Sequence, residues 1–101
     1  MKNFRTFELA KTFYLSSRNS PVPYYVKQQL NRAALSIALN LAEGKGRQSR
    51  KDQIRFFRIA LGSARECKAL VELHTEAFTT FQQHTIDRVC ASIYLLIKNA
   101  R

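Results

Sequence analysis

The sequence predicts an all-α fold, an antiparallel up-down-up-down four-helix bundle, and three observations carry that prediction. Four stretches place apolar residues at three- and four-residue spacing, the period of a one-sided helix. Only three short breaks separate them, and short breaks force successive helices to run antiparallel. The composition, 46% hydrophobic and 24% charged with three Gly and two Pro, belongs to a folded helical chain rather than a disordered one. At 101 residues the chain makes one domain, residues 1–101. A domain of this size hides roughly 60–70% of its unfolded surface, which leaves apolar area for a partner subunit to cover.

The first helix runs from about Phe4 to Ser17, with Phe7, Ala10, Phe13, Tyr14 and Ser17 on one side. It stops in Arg18-Asn19-Ser20-Pro21-Val22-Pro23, a run of turn formers that cannot continue a helix. The second helix opens there, since proline is tolerated in a first turn, and Ser20 is its expected cap. Val26, Leu30, Ala33, Ile37 and Leu41 form its inward stripe, widened by Ala34, Leu35 and Ala38. Gly44 is expected to end it by accepting left-handed geometry.

The third helix starts at Ser49, where Ser49-Arg50-Lys51-Asp52 sets an acid three residues after a hydroxyl. Ile54, Phe57, Leu61 and Ala64 make one apolar row; Phe56, Ala60, Ser63, Cys67 and Leu70 make the next. So wide a face predicts contact with more than one neighbour. Phe56 and Phe57 are both expected in the core. Gly62 and Ser63, mid-helix, point to a close helix crossing, because glycine there costs about 1 kcal/mol relative to alanine. After a break near Ala77–Thr79, Thr80-Phe81-Gln82-Gln83 offers a capping box. The fourth helix then runs to about Asn99.

The net charge is +10, and it is unevenly placed. Residues 27–58 hold eight basic side chains against Glu43 and Asp52, a balance of +6; the first 26 residues supply +3 and the last 43 supply +1. Lys51, Arg55, Arg58 and Arg65 form one stripe along the third helix, with Gly62 in the same row, and Lys45, Arg47 and Arg50 crowd its opening. Cations at a helix N-terminus oppose its dipole at a cost of about 0.3–1 kcal/mol each. That arrangement is reasonable where an anion sits among them, and backbone N–H groups at a helix start are themselves phosphate donors. A solvated basic face with scattered ion pairs to Glu43, Asp52 or Glu66 is the plainer account.

Other chemistry lacks its residues. Gly44-Lys45-Gly46 is not a nucleotide loop, which needs GxxxxGK[ST] after a strand. His74 and His84 have no acid or nucleophile at useful spacing, and Cys67 and Cys90 are too few and too far apart for a zinc site or a disulfide framework. Both cysteines read as reduced residues in or near the core. No enzyme, cofactor or metal is therefore expected. Asn40 and Glu43 read as satisfying backbone donors or pairing with a basic neighbour such as Arg58, with a subunit contact as the alternative. Tyr24 and Tyr25, at the opposite end from the basic turn, are expected at an interface or helix end. Glu66, Glu72 and Glu76 read as solvated surface. The N-terminus has no unbroken apolar stretch for a signal peptide, and no run approaches the roughly 20 residues of a membrane span, which predicts a cytoplasmic protein with no membrane partner.

Arg32-Ala33, Ser36-Ile37, Asn40-Leu41-Ala42-Glu43-Gly44, Gly46-Arg47 and Phe56-Phe57-Arg58-Ile59-Ala60-Leu61-Gly62-Ser63 stand in an ordered series over about a third of the chain. In this the chain resembles the bacterial four-helix-bundle proteins encoded in intervening sequences of 23S ribosomal RNA genes, the S23 ribosomal protein family. Two features depart from the family pattern: there is no tryptophan near the first helix, and Leu39 stands where a small residue is usual. The resemblance implies a homo-oligomer, with a pentamer as its expected form. A more distant similarity, to the accessory variability protein of diversity-generating retroelements, implies a basic pentameric bundle that binds a reverse transcriptase and nucleic acid.

The expected function is non-catalytic binding of RNA or DNA phosphates through Lys45, Arg47, Arg50, Lys51, Arg55 and Arg58, with Arg65 and Arg32 as outlying candidates. Such contacts carry little sequence information. The alternative is a protein-interaction scaffold, such as a reverse-transcriptase accessory subunit, with no nucleic-acid role of its own.

Overall fold

The computed structural model describes residues 4–100. These form four helices, α1 (Arg5–Ser17), α2 (Tyr24–Lys45), α3 (Arg50–Leu73) and α4 (Thr80–Asn99), with a 3₁₀ turn at Thr75–Ala77 before the last. Each helix packs on its neighbours in chain order and α4 closes back on α1, which is the predicted antiparallel four-helix bundle. At 1.5 Å per residue the long pair α2–α3 spans about 33–36 Å, and it sets the length of a body measuring 40 × 22 × 22 Å.

The periodic stripes meet in one core. Phe13 of α1, Leu30, Ile37 and Leu41 of α2, Cys67 of α3, and Ile86, Val89 and Ile93 of α4 are fully buried. Ala10, Ala34, Ala60 and Ala64 are buried in the same cluster. Fully burying each large aliphatic or aromatic side chain is worth about 1.5–3 kcal/mol. Polar ties between helices supplement this. Thr6 of α1 and Ser92 of α4 share a hydrogen bond of 2.6 Å. Gln82 Nε2 donates to the carbonyl of Ser16, 2.7 Å away. Lys68 Nζ lies 3.1 Å from Asp87 on the α3–α4 side, and this contact raises the lysine's pKa.

Helix ends depart from the sequence reading in instructive ways. Ser20 does not cap α2; the N-cap is Pro23, and the Ser20 hydroxyl is buried with no hydrogen-bond partner among the described residues. Gly44 does not end α2 either. The helix continues to Lys45 and closes on Gly46 at φ −82°, so no left-handed residue is required. Gly44 is instead demanded by packing: a Cβ there would lie 2.7 Å from Cε1 of Phe57 and 3.2 Å from Cβ of Phe56. Ser49 caps α3 as expected, its hydroxyl accepting from the Asp52 N–H at 3.1 Å. The capping box of α4 sits one residue earlier than the sequence reading: Thr79 Oγ1 accepts from Gln82 N–H (3.1 Å), and Gln82 Oε1 accepts from Thr79 N–H (2.8 Å). Gly62 faces open space, with no described atom within 4 Å of a Cβ built on it, so it marks no close crossing within the chain. Its neighbour Ser63 does meet α2, sharing a 2.9 Å hydrogen bond with Ser36.

Candidate nucleic-acid interface

The antiparallel order brings three chain regions to one end of the bundle: the start of α1, the α2–α3 turn and the end of α4. Contacts tie them together. The rings of Phe4 and Phe57 lie 6.5 Å apart, Lys45 Nζ sits 5.1 Å from the centre of the Phe4 ring, and Arg50 Nη1 donates to the carbonyl of Ala100 at 3.2 Å. That last bond places a cation against the negative end of α4, where the helix dipole favours it.

All six predicted cations, Lys45, Arg47, Arg50, Lys51, Arg55 and Arg58, are exposed. Four of them already have a local partner. Arg47 pairs with Glu43 at 3.4 Å and Arg55 with Asp52 at 3.8 Å; Lys45 and Arg50 make the contacts just described. Solvent-exposed pairs of this kind are worth about 0–1 kcal/mol, so they orient the side chains without neutralising them against a stronger anion. Lys51 and Arg58 make no hydrogen bond or ion pair among the described residues. With Asp52, Ile54 and Arg55 they line an open groove of about 550 Å³ along α3.

Arg65 and Arg32 are not gathered into this cluster. Arg65 lies about 21 Å farther along α3 than Lys51 by helical rise, and Arg32 of α2 donates to Gln29 Oε1 near the middle of the bundle. Conversely, Arg5 at the start of α1 and Lys98 near the end of α4 are exposed at the basic end. Both are remote in sequence from the α2–α3 turn, and the antiparallel order of the helices is what brings them to its end of the bundle.

Phe56 also departs from its expected place. Phe57 is core, but Phe56 is only half-buried, and its ring carries two guanidinium groups. Arg47 Cζ is 4.8 Å and Arg55 Cζ 4.4 Å from the ring centroid. Glu43 pairs with Arg47 rather than with Arg58, and Asn40 serves acceptors rather than donors, its Nδ2 bonding the Ser36 carbonyl (2.9 Å) and hydroxyl (3.1 Å).

Tyr24 and Tyr25 stand exposed at the far end, as their sequence position implied. Burial pushes the Cys67 thiol far up, with the Glu66 charge adding to it, and raises Cys90 more modestly. Both cysteines are free. Among the described residues no three His, Cys, Asp or Glu side chains are grouped to hold a metal, and no helix is long and apolar enough to cross a membrane.

Comparison with known proteins agrees with this architecture. The family described as 23S rRNA-intervening sequence protein matches residues 4–99. A crystal structure of a protein of unknown function from the S23 ribosomal protein family of Bacteroides thetaiotaomicron VPI-5482 superposes with a TM-score of 0.73. The two are 27% identical over 93% of this chain and 95% of the other. No curated protein matches significantly. Because the family model spans residues 4–99, nearly the whole chain, the chain belongs to the 23S rRNA-intervening sequence protein family.

Proposed function

We propose that this protein is a non-catalytic, oligomeric nucleic-acid-binding bundle that grips RNA or DNA by its phosphates. One observation carries the reading: Lys45, Arg47, Arg50, Lys51, Arg55 and Arg58 converge, all exposed, on the α2–α3 end of the bundle, with only Glu43 and Asp52 paired among them. Arg5 and Lys98 extend the same field from the neighbouring helix ends. An open, cation-lined surface suits a polyanion better than a small substrate.

Self-association belongs to the same reading. Leu39 of α2, 59% exposed, and Ile59 of α3, 44% exposed, flank the Ser36–Ser63 seam, with Leu35 a turn away. A second subunit would cover these side chains, and the family resemblance implies a homopentamer. A ring would repeat the basic end several times and raise avidity without new contacts.

The test is anisotropy titration of structured RNA, single-stranded RNA and duplex DNA over a salt series, with sedimentation to fix the oligomer. Binding should weaken steeply with salt. Each of Lys51→Ala and Arg58→Ala should reduce the log–log slope by about 0.7–0.9 per lost phosphate contact. Salt-insensitive binding, or slopes unchanged in both variants, refutes the phosphate patch and favours the protein-scaffold alternative.

A further inference from the structure

We infer that Phe56 is a positioning residue for the phosphate-binding surface: its ring holds Arg47, from the turn, and Arg55, from α3, as one preset pair aimed at adjacent phosphates. This rests on the phosphate-binding reading and deepens it by naming the residue that organises the two arginines.

The geometry is unusual for an apolar side chain in a helical core row. Phe56 is partly exposed beside a fully packed Phe57. Its ring takes Arg47 Cζ at 4.8 Å and Arg55 Cζ at 4.4 Å, both inside the roughly 6 Å range of a cation–π contact. The two guanidinium carbons can be no farther apart than the sum of those distances. Two like charges on long side chains would otherwise separate and spread over many rotamers. The ring offsets that repulsion, because its face attracts both cations.

The ring attracts each guanidinium through its charge, and the N–H groups remain the hydrogen-bond donors. Each guanidinium has five N–H donors. The single acid contacts to Glu43 and Asp52 leave N–H edges on both groups for a phosphate oxygen. Arg47 lies nine residues before Phe56, across the turn, so the ring also couples the turn to the first two turns of α3. An anion reaching this pair meets side chains already ordered, and ordering costs at binding fall accordingly.

The test separates this role from simple packing and from charge. Phe56→Leu keeps the net charge, the Cβ beside Gly44 and an apolar side chain, while removing the aromatic face. Single-stranded RNA binding should weaken about 5- to 20-fold, the consequence of ordering two long side chains at the moment of binding. The salt slope should stay at the wild-type value, since every cation remains. Phe56→Tyr should restore affinity. In the protein without ligand, NMR relaxation of the Arg47 and Arg55 Nε–H groups should show increased mobility in Phe56→Leu and wild-type order in Phe56→Tyr.

Wild-type binding with Phe56→Leu within twofold of it, or unchanged arginine mobility in that variant, overturns the positioning role alone. Absence of salt-dependent binding by the wild type overturns both this role and the phosphate reading beneath it. Failure of Phe56→Tyr to recover affinity assigns Phe56 to packing and likewise refutes the inference.

Discussion

Gly44→Ala should destabilise the bundle although alanine is the better helix former. The new Cβ would lie 2.7 Å and 2.9 Å from Cε1 and Cδ1 of Phe57, and 3.2 Å from Cβ of Phe56. Neither neighbour can retreat cheaply. Phe57 is 5% exposed and backed by the ring of Phe4, and the Phe56 contact is to an atom fixed by the α3 backbone. Overpacking of this kind costs about 1–3 kcal/mol. The propensity gain is at most about 1 kcal/mol and is reduced at the penultimate residue of α2, where little helix follows. The net loss is about 1–2 kcal/mol, which lowers Tm by roughly 5–15 °C at about 4–8 °C per kcal/mol for a domain of this size. Gly62→Ala is the matched control. It sits mid-α3 with no described atom within 4 Å of its Cβ position, so it should gain about 0.5–1 kcal/mol and melt higher. Thermal unfolding followed by circular dichroism at fixed protein concentration gives both shifts. A Gly44→Ala protein that melts at or above wild type refutes the close-approach argument. Equal shifts in the two variants would do the same, because propensity alone would then explain them.

The α4 cap gives a second comparison: Thr79→Ala should cost about 1 kcal/mol by breaking the reciprocal bonds with Gln82, whereas Thr80→Ala, outside the box, should shift Tm far less. Cys67 should resist thiol reagents in the native protein at pH 8, because burial keeps it protonated, while half-buried Cys90 reacts first; mass spectrometry of the partially labelled protein identifies the order. The same shift has a pH consequence. A folded thiol pKa raised above its ordinary value of 9.0 contributes stability that is full below pH 9 and declines as the pH rises beyond it, since only the unfolded thiol then ionises. Tm measured from pH 8 to 11 should therefore fall less steeply in Cys67→Ala, starting from a lower value.

Much of the fold was legible because helices are local and periodic. Val26, Leu30, Ile37 and Leu41 recur at the spacing that defines a buried stripe, and all four are buried. The Ser49 cap needed only a hydroxyl three residues before an N–H. Ends were less legible where neighbours compete: Thr79 and Thr80 are chemically equal caps, and the preceding 3₁₀ turn selects between them. Ser20 had the right chemistry for a cap, but Pro21-Val22-Pro23 carries the chain three residues further before α2 begins. The widest misreadings concern residues with two plausible roles. A glycine near a helix end suggests termination, yet Gly44 yields to the Phe57 ring. An aromatic in an apolar row suggests core, yet Phe56 turns enough toward solvent to carry two arginines.

Taken alone, the sequence determined the all-α class, the antiparallel order, the core stripes and the concentration of positive charge at the α2–α3 turn. Each of these follows from spacing along one helix or from the sign of neighbouring side chains. The tertiary structure alone decided which glycine is tight and which is open, which cations are tethered, and which helix ends join the basic surface. Arg50 and Ala100 are fifty residues apart, and Arg47 meets Phe56 across a turn. Such distances depend on how each helix is rotated about its axis and how closely it packs on the next. Periodicity specifies the buried side of a helix, but only packing against the neighbouring helix sets where its flanking side chains come to rest.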